Sequence, residues 1–325
     1  MKLLMMGTGP FAVPTFEALV ASSHDVPALV TRPTPPARGR RKSPPNPMRD
    51  AAEHHGLPVL APDDINSEQG REIVASFAPQ LLVVCDYGQI LSNECLAVAH
   101  LGGVNLHASL LPKYRGAAPI NWALYDGETE TGVTVIHMTP QLDAGPCLLQ
   151  VRTPIDPDED AVELERRLAQ IGAEAVLRSI EMLAGWDRAS TIGQRQDSRL
   201  ATKARRLRKD DAAVDWSRTA RQIRDQVRAF KPWPGAYTHL LRADGEPLRL
   251  ILDAVSVVEA PTDAEQEAAP GTVVHADGRR VEVATGAGLL AIDRIQPAGK
   301  RVMEIDEFLR GHTIEAGNRF GSPDG

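Results

Sequence analysis

The first half of the chain places its apolar residues in short continuous runs, each followed by a turn and then a stretch of helical spacing. Lys2–Met6 reads as a buried strand, Gly7-Thr8-Gly9-Pro10 as its turn, and Phe11–Ser22 as a helix in which Phe11, Phe16, Leu19 and Val20 recur at helical intervals. Val26–Thr31 is a second short strand. Within Pro79–Asp86, Leu81-Leu82-Val83-Val84-Cys85 is apolar without a break, the pattern of a strand covered on both faces. Gly103–Leu106 and Gly132–Met138 complete the set. Strands alternating with helices predict an α/β domain with a Rossmann-like, mostly parallel sheet, which binds ligands beyond the carboxyl ends of its strands.

The texture changes after a long helical stretch, Ala161–Leu183. Residues 187–210 are polar and basic and read as a linker. An amphipathic helix over Trp216–Lys231 ends at Pro232-Trp233-Pro234-Gly235, and strand-like segments follow at Ala236–Leu241, Leu248–Val258, Gly271–His275, Arg280–Thr285 and Leu289–Gln296. Five short strands predict a small antiparallel barrel of the OB type. The expected organisation is a catalytic domain over 1–186, a basic linker over 187–210 and an OB-like β-barrel domain over 211–325.

Length and composition narrow the function classes. At 325 residues and 42% hydrophobic content, the chain supports about two packed cores. A net charge of −7 argues against a protein that coats nucleic acid over its whole surface, though local basic patches stand out. Three cysteines, Cys85, Cys95 and Cys147, fit neither a disulfide framework nor zinc-ligand spacing, and read as reduced thiols; no metal is expected. The N-terminal apolar run breaks at Gly7, short for a signal peptide, so a cytoplasmic protein is expected. Gly7-Thr8-Gly9 invites a dinucleotide reading, but Ala12 stands at the third glycine position, Pro10 and Phe11 suit a pyrophosphate turn poorly, and Arg32 follows the second strand where an acid is needed. A tight turn near a pocket is the better reading.

The stretch from Gly103 to Gly145 carries the chemistry. Strand alternation puts Asn105 and His107 on one face, and Asp143 lies in a Gly-flanked turn able to reach them. Asn donates a hydrogen bond to a developing oxyanion, His moves a proton near neutral pH, and a carboxylate orients the imidazole and stabilises its cation. No serine or cysteine nucleophile is suitably placed, which favours direct transfer between two bound substrates. On spacing alone, the alternative stays open that Asn105 and His107 are buried groups satisfied by backbone, with Asp143 a loop cap.

The strings NLHASLLPKYRGAAPINWAL and GVTVIHMTPQLDAGP, with GTGPFAVPTFEAL, VVCDYGQIL, AFKPWPGA and IQPAGKR, resemble the folate-dependent formyltransferases, and among them the members that act on methionyl-tRNA. The likeness runs in order along almost the whole chain. It implies formyl transfer from 10-formyltetrahydrofolate to the methionine α-amino group of initiator tRNA. It also implies Asn105, His107 and Asp143 as catalytic residues, with His107 either a protonated stabiliser of the oxyanion beside Asn105 or the base that takes the amine proton, and Ser109, Leu110, Leu111 and Pro112 as part of a folate-binding loop. Two positions depart from the family pattern: Pro146 where an acid is common, and Asp86 where a small residue is usual, close to the expected pterin site. Asp86 is expected to point outward as a solvated charge.

Basic residues fall into groups. Arg38, Arg40, Arg41 and Lys42 lie in the Pro-rich segment PTPPARGRRKSPPNP, which its prolines exclude from helix or central strand. Lys203, Arg205 and Arg206 lie in the linker, and Arg218, Arg221, Arg224 and Arg228 on the following helix. By resemblance, the Pro-rich segment approaches the tRNA acceptor end, and the groups together form a basic track for phosphates. A monomer is expected. The rival reading is a formyltransferase for a nucleotide-linked amino sugar, which needs neither basic group.

Overall fold

Burial on both faces dictates the central strands. A computed structural model of the chain describes residues 1–36, 44–242, 246–258 and 268–323. In it, β1 (Leu3–Gly7) is buried at every position, as is β4 (Leu81–Cys85). Each large aliphatic side chain withdrawn from water there contributes about 1.5–3 kcal/mol. Between them in sequence come β2 (Leu29–Val30) and β3 (Val59–Leu60); beyond them, β5 (Gly103–His107) pairs parallel with β4. After the short β6 (Arg115–Gly116), β7 (Glu130–His137) pairs antiparallel with β5, and β8 (Cys147–Pro154) antiparallel with β7. The sheet order is β3-β2-β1-β4-β5-β7-β8. The chain thus turns to one side after β1 and later resumes on the other at β4, so β1 and β4 flank the switch point where open α/β sheets bind ligands.

Helices α1 (Val13–Val20), α2 (Pro47–His54), α3 (Glu68–Ser76), α4 (Asn93–Leu96), α5 (Pro119–Tyr125) and α6 (Ala161–Ala184) follow in chain order. The sequence reading omitted α2 to α5, β3 and β8. For α2 the signal was present: Asn46 caps the helix by accepting from the Arg49 N–H at 3.0 Å, and Pro47 occupies its first turn. β8 is half exposed along most of its length, without a clean apolar run.

The described residues form two compact units: Met1–Pro119, Glu130–Ile155 and Leu164–Arg205 in the first, and Ile120–Thr129, Asp156–Glu163 and Arg206–Gly325 in the second. Within the stretch read as a linker, β9 (Lys203–Ala204) pairs parallel with β6 inside the first unit. In the second unit, α7 (Ala220–Ala229) starts at a capping box of Thr219 and Gln222. Strands β10 (Tyr237–Leu241), β11 (Leu248–Val258), β12 (Val273–Ala276), β13 (Val281–Ala284) and β14 (Leu289–Pro297) are those expected; β15 (Met303–Glu304), α8 (Ile305–Leu309) and β16 (Arg319–Gly321) were not read from sequence. The order β12-β13-β14-β11-β10-β16 is antiparallel throughout, and a bridge between Thr272 and Arg319 brings its two edges together into a near-barrel. Trp216, Ile223, Val227, Leu250, Ile292 and Phe320 fill it. Among the described residues, no helix is long and apolar enough to cross a membrane.

Candidate active site

Asn105 and His107 project from the carboxyl end of β5, two residues apart and therefore on the same face. β7 pairs with β5 and hands the chain to the turn that bears Asp143, so sheet register closes the 38-residue separation between Asn105 and Asp143. Asn105 Nδ2 donates to Asp143 Oδ1 at 3.3 Å, and the backbone N–H of Gly116 donates to Asp143 Oδ2 at 2.9 Å. His107 Nδ1 lies 3.7 Å from Asp143 Oδ2. The three side chains that the sequence singled out are thus brought together.

His107 is oriented from its other nitrogen. Nε2 lies 2.8 Å from the Tyr114 carbonyl oxygen, which only accepts, so Nε2 carries a proton and donates it there. In the neutral ring, Nδ1 is then the free base, turned toward Asp143. His107 is 5% exposed and Asp143 9%, so the pair works in a largely water-excluded setting, where electrostatic interactions strengthen. Asn105 Nδ2 has a second proton to offer an incoming oxygen.

The loop Ser109-Leu110-Leu111-Pro112 is pinned from beneath. Ser109 is fully buried and donates its hydroxyl to the Lys113 carbonyl at 2.7 Å. Thr134 Oγ1 donates to the Ser109 carbonyl and accepts from the Leu111 N–H, and Gln150 Nε2 donates to the Leu111 carbonyl at 2.7 Å. Leu111 is buried, while Leu110 and Pro112 are half-buried.

Tyr114, Gly116 and Gln196 were missed as site residues by sequence reasoning. Gly116 has φ 127°, and a Cβ on it would run into the Ala204 carbonyl of β9, so glycine is required there. Gln196 lies in the polar stretch read as a linker, and nothing local marks it.

Asp86 is exposed to solvent, as expected, and one oxygen of its carboxyl packs against Gly9. Thr8 N–H donates to the Asp86 carbonyl at 3.0 Å, tying the residue to the switch-point turn. Desolvation, with the Glu165 carboxylate adding to it, pushes the Asp86 carboxyl up to about 6. A carboxyl raised on folding leaves the unfolded state binding fewer protons between the two pKa values, so its contribution to stability falls as pH rises toward 6. Asp86→Asn should therefore gain thermal stability relative to the parent as pH increases from 4.5 to 7.5. A difference in Tm that stays constant across that range would contradict this upward shift.

The cysteines are free, and burial pushes their thiols up, Cys95 to about 11, which leaves them poor nucleophiles. Of the basic positions, Arg38, Arg40, Arg41 and Lys42 lie outside the described residues. Lys203, Arg205 and Arg206 are exposed. The helix arginines correct part of the expected basic track: Arg228 is 9% exposed, pairs with Asp225 at 2.9 Å and donates to the Asp156 and Glu159 carbonyls, and Arg218 lies over the Tyr125 ring at 4.4 Å. Asp225, three residues before Arg228 on α7, makes that arginine a packing element.

With this geometry in place, comparison with known proteins is decisive. The family model "Formyl transferase" matches residues 1–180, more than half of the chain, and "Formyl transferase, C-terminal domain" matches residues 206–313. The chain belongs to the formyl transferase family. A protein from Rhodopirellula baltica named methionyl-tRNA formyltransferase is 44% identical, with 99% of this chain and 97% of that protein covered. One of the same name from Geotalea daltonii is 39% identical over 100% of this chain and 99% of its own length. Among solved structures, the formyl transferase WlaRD, a sugar 3N-formyl transferase crystallised in the presence of dTDP and 5-N-formyl-THF, shares the fold at TM-score 0.62 and 17% identity, over 93% of this chain and 99% of that one.

Proposed function

We propose that this formyl transferase moves a formyl group from 10-formyltetrahydrofolate to the α-amino group of methionine on initiator tRNA, with Asn105, His107 and Asp143 as its catalytic residues. The observation that carries the chemistry is the Tyr114 carbonyl on His107 Nε2, which turns a basic Nδ1 toward the buried Asp143 carboxylate. The acceptor is argued from the full-length likeness to proteins named for methionyl-tRNA, 44% and 39% identical.

The neutral amine attacks the formyl carbon, a new C–N bond forms, and the carbonyl oxygen takes up negative charge. Asn105 donates its second Nδ2 proton to that oxygen. His107 Nδ1 accepts the proton that the amine loses and returns it to N10 of the donor as the old C–N bond breaks, so the imidazole ends as it began. Asp143 stabilises the transient imidazolium, and its own carboxylate is held by Asn105 and the Gly116 N–H. Ser109, Leu110, Leu111 and Pro112 border the donor. A hydrogen-bond donor of this kind typically contributes 10²–10³ in rate, about 2.7–4 kcal/mol.

Arg38, Arg40, Arg41 and Lys42 contact the acceptor end of the tRNA, and Lys203, Arg205 and Arg206 contact phosphates, in a chain that acts as a monomer in the cytoplasm. The combined variant Arg40→Glu, Arg41→Glu and Lys42→Glu should raise KM for the charged tRNA by about 10-fold or more at physiological salt and flatten the salt dependence of kcat/KM. Parent-like kinetics across a salt series would remove this segment from the interface.

The amino-sugar reading rests on a likeness of fold at 17% identity. Acceptor-dependent release of tetrahydrofolate separates the two. Release should follow addition of methionine-charged initiator tRNA and not of a dTDP-linked amino sugar; the reverse pattern would overturn the assignment.

A further inference from the structure

Residues 194–204 form a strap over the candidate site. Gln194 and Cys147 exchange backbone hydrogen bonds, the Gln194 N–H donating to the Cys147 carbonyl at 2.7 Å and the Cys147 N–H to the Gln194 carbonyl at 2.8 Å. At the other end, the Thr202 hydroxyl accepts from the Tyr114 N–H at 2.8 Å, and the Thr202 carbonyl accepts from the Arg115 N–H at 2.9 Å. Between these anchors, Gln196 uses both ends of its amide. Its Nε2 donates to the Asp143 carbonyl at 2.9 Å and to the Gly145 carbonyl at 2.7 Å, and its Oε1 accepts from Arg115 Nε at 3.1 Å and Nη2 at 2.6 Å.

The strap grips two residues in the left-handed region: Tyr114 at φ 61°, which a bulky side chain seldom adopts, and Asp143 at φ 49°, which aspartate tolerates better than most residues but which still needs its turn held. Asp143 bears the carboxylate that faces His107 Nδ1, and Tyr114 bears the carbonyl that orients His107 Nε2. Strain of this kind persists only where the surroundings over-determine it. Gln196 supplies that restraint for Asp143: two donations fix the backbone on either side of Ala144, and the Arg115 fork fixes the glutamine.

We propose that Gln196 is a positioning residue for formyl transfer, holding the Asp143 turn in the left-handed conformation that aims its carboxylate at His107. This rests on the reading of Asp143 as catalytic. Gln196 does not touch the substrates; it acts through Asp143. Loss of such a positioning contact can cost up to about 10²-fold in activity, because a carboxylate displaced by about 1 Å no longer matches the transition state.

The test is steady-state formyl transfer by Gln196→Ala, Gln196→Glu, Asp143→Gly and the Gln196→Ala/Asp143→Gly double variant. Glycine at 143 removes the carboxylate without strain at positive φ. Gln196→Glu keeps the size and the acceptor for Arg115 but loses both donations to the turn. The expected result is a 10–100-fold lower kcat for both Gln196 variants, with KM for donor and acceptor within about 3-fold of the parent. Gln196→Ala should add less than about 3-fold in the Asp143→Gly background, because a residue acting through Asp143 has nothing left to position. Parent-like kcat in Gln196→Glu, or losses that multiply in the double variant, would overturn the proposal. An unimpaired Asp143→Gly would instead defeat the catalytic reading of Asp143; an impaired Asp143→Gly beside parent-like Gln196 variants would defeat this inference alone.

Discussion

Replacing His107 with alanine should lower kcat for formyl transfer by about 10³-fold, within the range that a positioned acid–base group supplies. The loss has two components that can be separated. Alanine removes the Nδ1 base, and it also removes the hydrogen bond that His107 Nε2 gives the Tyr114 carbonyl at 2.8 Å. A lost intramolecular hydrogen bond costs about 0.5–1.5 kcal/mol, so His107→Ala should also melt a few degrees lower. His107→Gln keeps an amide donor of similar reach for Tyr114 but supplies no base. It should therefore show the same loss of kcat with most of the thermal stability regained. A glutamine variant that recovers turnover along with stability would mean that His107 serves the fold and not the proton transfer.

The second large effect is expected at Asp143. Asparagine is nearly isosteric and tolerates the positive φ of 49° found there, so Asp143→Asn should fold normally. It removes the charge that faces the imidazole and one of the two oxygens shared between Asn105 and the Gly116 N–H. In a setting where Asp143 is 9% exposed, water does little to replace that charge. A buried imidazolium left without its counter-charge is strongly disfavoured. The expected loss in kcat is on the order of 10²-fold or more, with KM for both substrates nearly unchanged, because the carboxylate acts on a charge that exists only during turnover. Stopped-flow or quench measurements of single turnovers would isolate the chemical step. A rise in KM at unchanged kcat would reassign Asp143 to substrate binding.

The parts of the site that were legible in the sequence are those that neighbouring residues encode. Asn105 and His107 share a face because they sit two apart on a strand, and the uninterrupted apolar run Leu81–Cys85 marks a strand buried on both sides. Asp143 was within reach of the same reasoning, since a Gly-flanked turn after an apolar strand has few places to go. Gln196 was not. Its partners, Arg115, Asp143 and Gly145, lie 81, 53 and 51 positions away, and its surroundings are polar enough to read as a tether. Polar composition reports how little apolar area a segment buries and is silent on how many backbone groups it bonds. Arg228 misled in the opposite direction: counted as a cation on an exposed face, it is buried by Asp225 three residues before it. The short edge elements β3 and β16, of two and three residues, carry too few positions for any period to show, and pairing alone creates them.

Asp86 stands between these cases. The sequence marked it as a departure near the expected donor site, but its conformation, φ 45° with the carboxyl turned onto Gly9, depends on two strands meeting at the switch point. With glycine at position 9, the Asp86 carboxyl can rest against the switch-point turn in this rotamer.

The measurement that bears most directly on the account is formylation of methionine-charged initiator tRNA by the purified protein with 10-formyltetrahydrofolate, with methionine-charged elongator tRNA and His107→Gln in parallel. The account predicts formyl-methionine on the initiator, little on the elongator, and about 10³-fold slower transfer by the folded variant. Equal turnover by His107→Gln, or consumption of the folate with neither tRNA formylated, would contradict it.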